Sequence, residues 1–136
     1  MLRYAYLRSD YHPIILILGE RDDLRQLAAD LRAFAAGNLD GETLARHQPT
    51  APDTAATLVF RRQNSPRGAH ADSREQSRFE WGLNAAVAQD YADLVDQLAT
   101  GPEPSGSTIL ETGAPDEVPV KVSLGEFTDD FLFSSS

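Results

Sequence analysis

The chain has 136 residues, no cysteine, and 21 acidic side chains against 12 basic ones, which gives a formal net charge of −9 at pH 7. The absence of cysteine excludes disulfides, thiol catalysis and cysteine-ligated zinc, and the length suffices for one domain with its own core. The charge is uneven: residues 80–136 hold 11 acidic side chains and one basic one, whereas residues 1–79 hold 10 acidic and 11 basic ones. The excess of negative charge in residues 80–136 repels phosphates. The composition therefore argues against nucleic-acid binding and favours a basic protein partner.

The first part of the chain predicts two strands followed by an amphipathic helix. Residues 2–6 alternate in the two-residue period of a strand. Residues 14–18 form a continuous apolar run closed by Gly19, which is too short for a helix and typical of a strand covered on both faces. Residues 22–36 then repeat apolar side chains at three- and four-residue spacing, so they predict a helix that begins at an aspartate cap and ends at Gly37.

The middle of the chain predicts two further strands and a second helix. Residues 57–60 and 79–83 have strand patterns, and the polar range 63–77 between them predicts a mobile hairpin loop. Asn84 is placed to cap a helix that runs to Thr100. The predicted apolar stripe of this helix consists of Val87, Tyr91, Leu94, Val95 and Leu98.

The last strand is predicted to organise the core. In residues 118–124, apolar side chains recur at every second position, while Pro119, Lys121 and Ser123 fall on the other face, which we expect to be solvated or partly covered. Residues 108–112 are predicted to form a hairpin with this strand.

The predicted element order is β(β)α-ββ-α-ββ, which indicates an α+β fold. We expect a two-layer sandwich in which a mixed or antiparallel sheet of about five strands carries two helices on one face. Residues 1–136 are expected to form a single domain, with 63–77 as a mobile loop and 125–136 as a C-terminal tail. No apolar leader and no run of about 18 apolar residues is found, so a cytoplasmic location without membrane contact is expected.

The usual catalytic and cofactor motifs are not found in the sequence. His12, His47 and His70 lie far apart and show no zinc-type spacing. Phosphate-loop, dinucleotide and nucleophile-elbow motifs are also lacking. Gly19 could offer backbone N–H groups to an anion, but the acidic residues that follow it favour a structural role. We therefore predict no catalytic residue, no bound metal and no cofactor.

Three aspartates on the second predicted helix form the first candidate partner-binding group. Asp90, Asp93 and Asp96 are spaced three apart, so they lie in one line along the helix surface. The helix contains no Lys or Arg to offset their repulsion. Two interpretations remain open, namely an ordinary solvated face and a docking face for a basic partner. Trp81 and Tyr91 are of the types found in interface hot spots, but both fit the apolar stripes and are predicted to lie in the core.

The second candidate group is Glu126, Asp129 and Asp130, which follow the last strand among several apolar residues. Apolar anchors interleaved with acids can dock on a domain while presenting negative charge to a partner. The same cluster supports an alternative function, a small enzyme or metal-binding domain that uses these carboxylates and a histidine brought near by folding. The cluster lacks the alternating oxygen ligands of a calcium loop.

Two blocks of sequence resemble a known class of proteins. Residues 19–34 (GERDDLRQLAADLRAF) and residues 118–131 (VPVKVSLGEFTDDF) resemble small uncharacterised bacterial α+β domains, some of which occur among the immunity proteins of polymorphic toxin systems. The shared patterns are fold-making, so no functional residue is transferred. The resemblance implies a non-enzymatic protein that binds and blocks a toxin, and its acidity would steer a basic, nuclease-like partner.

The leading interpretation is a non-enzymatic, cytoplasmic, immunity-like protein-binding domain that occludes a basic protein through an acidic face. The enzyme or metal-binding alternative and a third interpretation, a subunit that self-associates as a homo-oligomer, remain open. The arginine-rich range 61–78 does not fit an all-acidic docking surface and is left unexplained by the sequence.

Overall fold

A computed structural model describes residues 3–7, 13–37, 57–71 and 78–125. The α+β class is confirmed, and the described residues form seven strands and two helices. In chain order the elements are β1 (Arg3–Leu7), β2 (Ile14–Gly19), α1 (Arg21–Ala35), β3 (Thr57–Arg62), β4 (Gly68–Ala71), β5 (Arg78–Leu83), α2 (Ala85–Thr100), β6 (Gly106–Leu110) and β7 (Val120–Leu124).

The described strands form two sheets, so the prediction of one sheet of about five strands is wrong. The first sheet has the order β1-β2-β7-β6 and the second has the order β3-β5-β4. Each sheet is mixed, because β2 and β7 are parallel, β3 and β5 are parallel, and the remaining pairs are antiparallel. The sheets meet at one isolated bridge, where the N–H of Val118 donates to the carbonyl of Ala69 at 2.8 Å.

Strand β4 lies where the sequence predicts a loop, so the loop prediction is wrong for these residues. Its four residues, GAHA, lie inside the range predicted as a hairpin loop and have no large alternating side chains. They pair antiparallel with β5, which places Ala69 opposite Trp81. Because β4 intervenes in sequence, β3 and β5 run parallel and do not form the predicted hairpin.

Strand β7 lies between β2 and β6, so residues 120–124 of the predicted strand 118–124 form a central strand. The predicted hairpin of β6 and β7 is also confirmed. On the face opposite the main core, Lys121 is half-buried but Ser123 is fully buried. Leu16 and Leu18, which neighbour them on β2, are also buried. The expectation of a solvated or partly covered face is therefore wrong at Ser123, because both faces are covered at the centre of this sheet.

Helix α1 begins at Arg21 instead of Asp22, and its N-cap is Glu20 instead of an aspartate. Glu20 is the N-cap and forms a capping box with Asp23, whose Oδ2 accepts the N–H of Glu20 at 2.9 Å. Gly37, just past the helix, has a φ of 96°, which confirms it as the left-handed residue after the helix. The predicted apolar face is buried through Leu24, Leu27, Ala28, Leu31 and Phe34.

Helix α2 begins as predicted, but its buried face is rotated. The side chain of Asn84 accepts the N–H of Val87 at 2.9 Å, as expected of an N-cap. Leu94, predicted to face inward, is 39% exposed. Small side chains allow α2 to pack closely against α1, so the alanine-rich side faces the core. The buried residues of α2 are Ala88, Tyr91, Ala92, Val95 and Ala99.

Both helices and the inner faces of both sheets share one core among the described residues. A row of aromatic rings crosses it, from Phe34 on α1 through Phe60 and Trp81 to Tyr91 on α2, with successive centroids 5.6, 5.8 and 6.0 Å apart. The prediction that Trp81 and Tyr91 are core residues is confirmed. Within the described parts of the chain, no helix is long and apolar enough to cross a membrane.

Candidate functional site

The aspartate row of α2 is partly occupied by an arginine of α1. Arg32 Nη1 lies 2.6 Å from Asp96 Oδ2, and Arg32 Nη2 lies 3.1 Å from Asp93 Oδ1. The hydrogen bond to Asp96 is the main cause that raises the pKa of Arg32 above its usual value, and Asp93 adds to it. Two of the three predicted partner-binding aspartates therefore join the two helices.

Asp90 is the member of the row without an ion pair among the described residues. It is exposed. Of the predicted row, Asp90 is the residue best placed to meet a partner.

The second predicted group lies outside the described residues. Glu126, Asp129 and Asp130 follow β7 in the sequence. Within residues 3–7, 13–37, 57–71 and 78–125, no group of three His, Cys, Asp or Glu side chains could hold a metal ion.

One histidine takes part in a charge cluster on the second sheet. Glu80 on β5 lies 3.5 Å from Arg61 Nη2 and 3.7 Å from His70 Nε2, across the two neighbouring strands. The other ring nitrogen of His70, Nδ1, lies 3.1 Å from the carbonyl oxygen of Gly68. A carboxylate, a guanidinium and an imidazole are thus close together, and their contacts connect the three strands of the second sheet.

The two arginines that end β3 have structural partners, which accounts for part of the arginine-rich range. Arg61 pairs with Glu80. Arg62 donates to the carbonyl oxygen of Phe34, and its guanidinium carbon lies 4.7 Å above the Phe34 ring. Both contacts fasten the second sheet, and that of Arg62 ties it to the end of α1.

A cleft of about 460 Å³ lies where the parallel strands β2 and β7 end and α1 begins. This is the edge at which open α/β sheets commonly bind ligands. Its lining mixes acidic and basic side chains, and Arg25 is paired with Asp22 at 2.8 Å. The full lining consists of Glu20, Arg21, Asp22, Arg25, Pro104, Leu124 and Gly125.

The second arginine of this cleft, Arg21, is engaged with the end of α2. Its Nη1 donates to the carbonyls of Ala99 and Gly101 at 2.8 and 2.9 Å, and its Nη2 donates to that of Glu103 at 2.6 Å. The last carbonyls of a helix lack intrahelical partners, so this guanidinium supplies the donors that they need. Arg21 thus caps the end of α2 from a distant part of the chain, and its guanidinium is hydrogen-bonded within the protein.

The half-buried carboxylate of Glu117 accepts several hydrogen bonds from the loop between β6 and β7. Glu117 accepts the backbone N–H groups of Thr112, Gly113 and Ala114 at 2.8 to 3.2 Å, and also the hydroxyl of Thr112 at 2.8 Å. Such a concave set of N–H groups can hold an anion. Here the protein fills it with its own side chain, so the loop is held in one conformation.

Two large apolar side chains are exposed among the described residues. Neither was predicted from the sequence to lie at the surface. Ile109 on the edge strand β6 is 54% exposed, and Leu94 on α2 is 39% exposed. The sequence places Ile109 in a predicted strand. A strand pattern does not show whether the strand lies at the edge or in the middle of a sheet, so the exposure of Ile109 was not predictable from it.

Comparison with known proteins does not identify the chain. No family model, no curated protein and no solved structure matches it.

Proposed function

We propose that this protein is a non-enzymatic, immunity-like binding domain that captures a basic protein partner. The observation that carries the proposal is the segregation of charge. Residues 84–125 contain seven carboxylates and a single basic residue, Lys121. A field of one sign over part of a surface raises the association rate of an oppositely charged partner.

The exposed members of this set are the candidate contact residues. Asp90, Glu103, Glu111 and Asp116 are all exposed, whereas Glu117 holds its own loop and Asp93 and Asp96 neutralise Arg32. The proposed acidic surface therefore comprises α2 at Asp90 and the loops that flank β6. The predicted contribution of Glu126, Asp129 and Asp130 remains part of the proposal.

The proposal can be tested with a pair of charge-matched variants. One variant carries Asp90→Asn and Glu111→Gln on the acidic surface, and the control carries Asp22→Asn and Asp30→Asn on α1. Each immobilised protein is exposed to extract of the source cell, retained proteins are identified by mass spectrometry, and the association rate of each retained protein is measured.

We expect the wild type to retain a protein of high isoelectric point. Its association rate should fall at least about threefold in the first variant, stay near the wild-type value in the control, and decline as salt approaches about 0.15 M. Retention of proteins without a basic bias, or equal rates for the two variants, would contradict the proposal.

A further inference from the structure

We infer that the outer edge of β6, the last of the described strands in the first sheet, receives an extended segment of the basic partner as an additional strand. This inference rests on the proposed function and specifies where and how the partner is held. The edge is outermost in the order β1-β2-β7-β6, and within the described residues β6 pairs with β7 alone.

Two hydrogen bonds show which way the backbone groups of β7 point. The N–H of Ile15 on β2 donates to the carbonyl of Pro119 at 3.0 Å, whereas the N–H of Val118 donates to Ala69, on the opposite side. Successive residues of a strand direct their backbone groups to opposite edges. Odd-numbered residues of β7 therefore direct their backbone N–H and C=O groups toward β2, and even-numbered residues direct theirs toward β6.

The register then identifies the groups at the outer edge of β6. Val122 lies opposite Thr108, so these two form a hydrogen-bonded pair. Ser107 and Ile109, on either side of Thr108, consequently direct their N–H and C=O groups away from β7. Four backbone groups in a row are thus available to an incoming strand.

The two exposed apolar side chains lie beside this edge. Ile109 is on the outer face of the sheet, in register with Lys121. On the inner side, α2 packs next to β6, since a Cβ on Gly106 would stand 3.1 Å from Leu98 Cδ1. Leu94 precedes Leu98 by one helical turn on the same side of α2. A strand added to β6 would bring side chains over Ile109 on one face and toward Leu94 on the other.

The two edges of the second sheet carry features that protect against strand addition, and β6 does not. Charged residues, proline and short length are the common protections. β3 ends with Arg61 and Arg62, and β4 is short and bridged to Val118. β6 reads GSTIL, without a charge or a proline.

Charge indicates a basic partner as the occupant of this edge. Glu103 precedes β6 and Glu111 follows it, and both side chains are exposed. A second copy of the chain would bring the same acids and another net charge of −9 to this edge, which opposes self-pairing. A strand with an apolar centre and lysine or arginine at both ends would instead meet opposite charges. Main-chain pairing of this kind is a common mode of peptide recognition.

The test uses a defined probe, a fluorescein-labelled peptide with the sequence Lys-Lys-Val-Thr-Val-Thr-Val-Lys-Lys. Its controls are the same peptide with glutamate in place of lysine and the lysine peptide N-methylated at the central valine. Binding to the full chain is measured by fluorescence anisotropy at low and at physiological salt. Amide exchange of Ser107 and Ile109 is followed by NMR.

Two variants at one position separate backbone pairing from other effects. Ser107→Pro removes an outward N–H and leaves the bonds to β7 intact, while Ser107→Ala keeps that N–H and serves as the matched control. Because Gly106 precedes the substitution, the chain can accommodate the proline ring. Ile109→Lys, which adds a charge to the edge, is an independent variant in case Ser107→Pro melts early.

We expect the lysine peptide to bind with slower amide exchange at both residues, and to bind at least about tenfold more weakly to Ser107→Pro and Ile109→Lys than to Ser107→Ala. The N-methylated peptide should lose binding to the wild type by a similar factor. Equal binding to Ser107→Pro and Ser107→Ala, unchanged exchange, or no binding of the lysine peptide would overturn the edge inference.

The arms also separate this inference from the proposed function. Salt-dependent binding that ignores the proline and the N-methyl group would leave an acidic surface without strand addition. Edge binding by the glutamate peptide as tight as by the lysine peptide would overturn the basic partner.

Discussion

The guanidinium of Arg32 on α1 lies 2.6 Å from the carboxylate of Asp96 on α2. This contact gives Asp96 a structural role between the two helices. One positive charge from another helix offsets part of the three negative charges of the aspartate row. Replacing Asp93 and Asp96 by lysine would place like charges around Arg32, so such a variant would disturb helix packing as well as any docking surface. Asp90 is therefore the member of the row to vary in binding experiments.

Arg32→Gln should lower the free energy of unfolding by less than about 1 kcal/mol, because both ion pairs are partly exposed and water screens them. Urea unfolding at low and high salt checks this, and the difference from wild type should shrink at high salt. Arg25→Gln, which breaks an exposed pair within one helix, is the control. A loss above about 2 kcal/mol for Arg32→Gln would show that the pair is effectively buried.

Leu31→Ala should cost about 2–5 kcal/mol, because Leu31 is fully buried in the core face of α1 and its removal leaves a cavity. The same substitution at Leu94, which is 39% exposed, should cost less than about 1 kcal/mol. Thermal or urea unfolding of the two variants measures the difference. Equal losses would mean that α2 buries its leucine stripe after all.

Arg21→Ala should destabilise the protein by about 1–3 kcal/mol, since it removes donors from the carbonyl of Ala99 in the last turn of α2 and from those of Gly101 and Glu103 after it. Amide exchange at the C-terminal turn of α2 should accelerate with it. Arg25→Ala, a neighbouring arginine with an exposed partner, should have a much smaller effect. If both variants unfold alike, the long-range cap has little energetic weight.

Tyr91 predicts a loss of stability in alkali. Burial is the main cause that raises its pKa above the usual 10.0, and the nearby charges of Glu117 and Glu111 add to it. Above about pH 10 the tyrosine of the unfolded chain loses its proton while the buried one keeps it, so the free energy of unfolding falls as pH rises, by up to about 1.4 kcal/mol per unit.

Tyr91→Phe is the matching control for the alkaline prediction. The hydroxyl of Tyr91 has no hydrogen-bond partner among the described residues, so its removal should change stability at pH 8 by less than about 1 kcal/mol. Urea unfolding between pH 8 and pH 11 should show a shallower decline for Tyr91→Phe than for the wild type. Parallel declines would assign the pH dependence to other groups.

Local patterns predicted the elements whose signals lie within a few residues. The three- and four-residue spacing of α1, the Asn84 cap and the alternation before Gly125 each specify a structure through near neighbours. β4 escaped because glycine, alanine and histidine carry no apolar period. The candidate surface was predicted only as a row of acids, since no local pattern reveals an arginine 61 residues away in sequence.

The sequence by itself determined the α+β class, both helices, the hairpin of β6 and β7 and the excess of negative charge in the second part of the chain. These follow from side-chain periodicity, capping and composition, which are properties of neighbouring residues. Only the tertiary structure decided that the described strands divide into two sheets, that Arg32 pairs with Asp93 and Asp96, and that β6 is an outermost strand among them with Ile109 exposed. Each of these depends on which distant segments come together, and strand pairing and ion pairing are specified by the packed core as a whole.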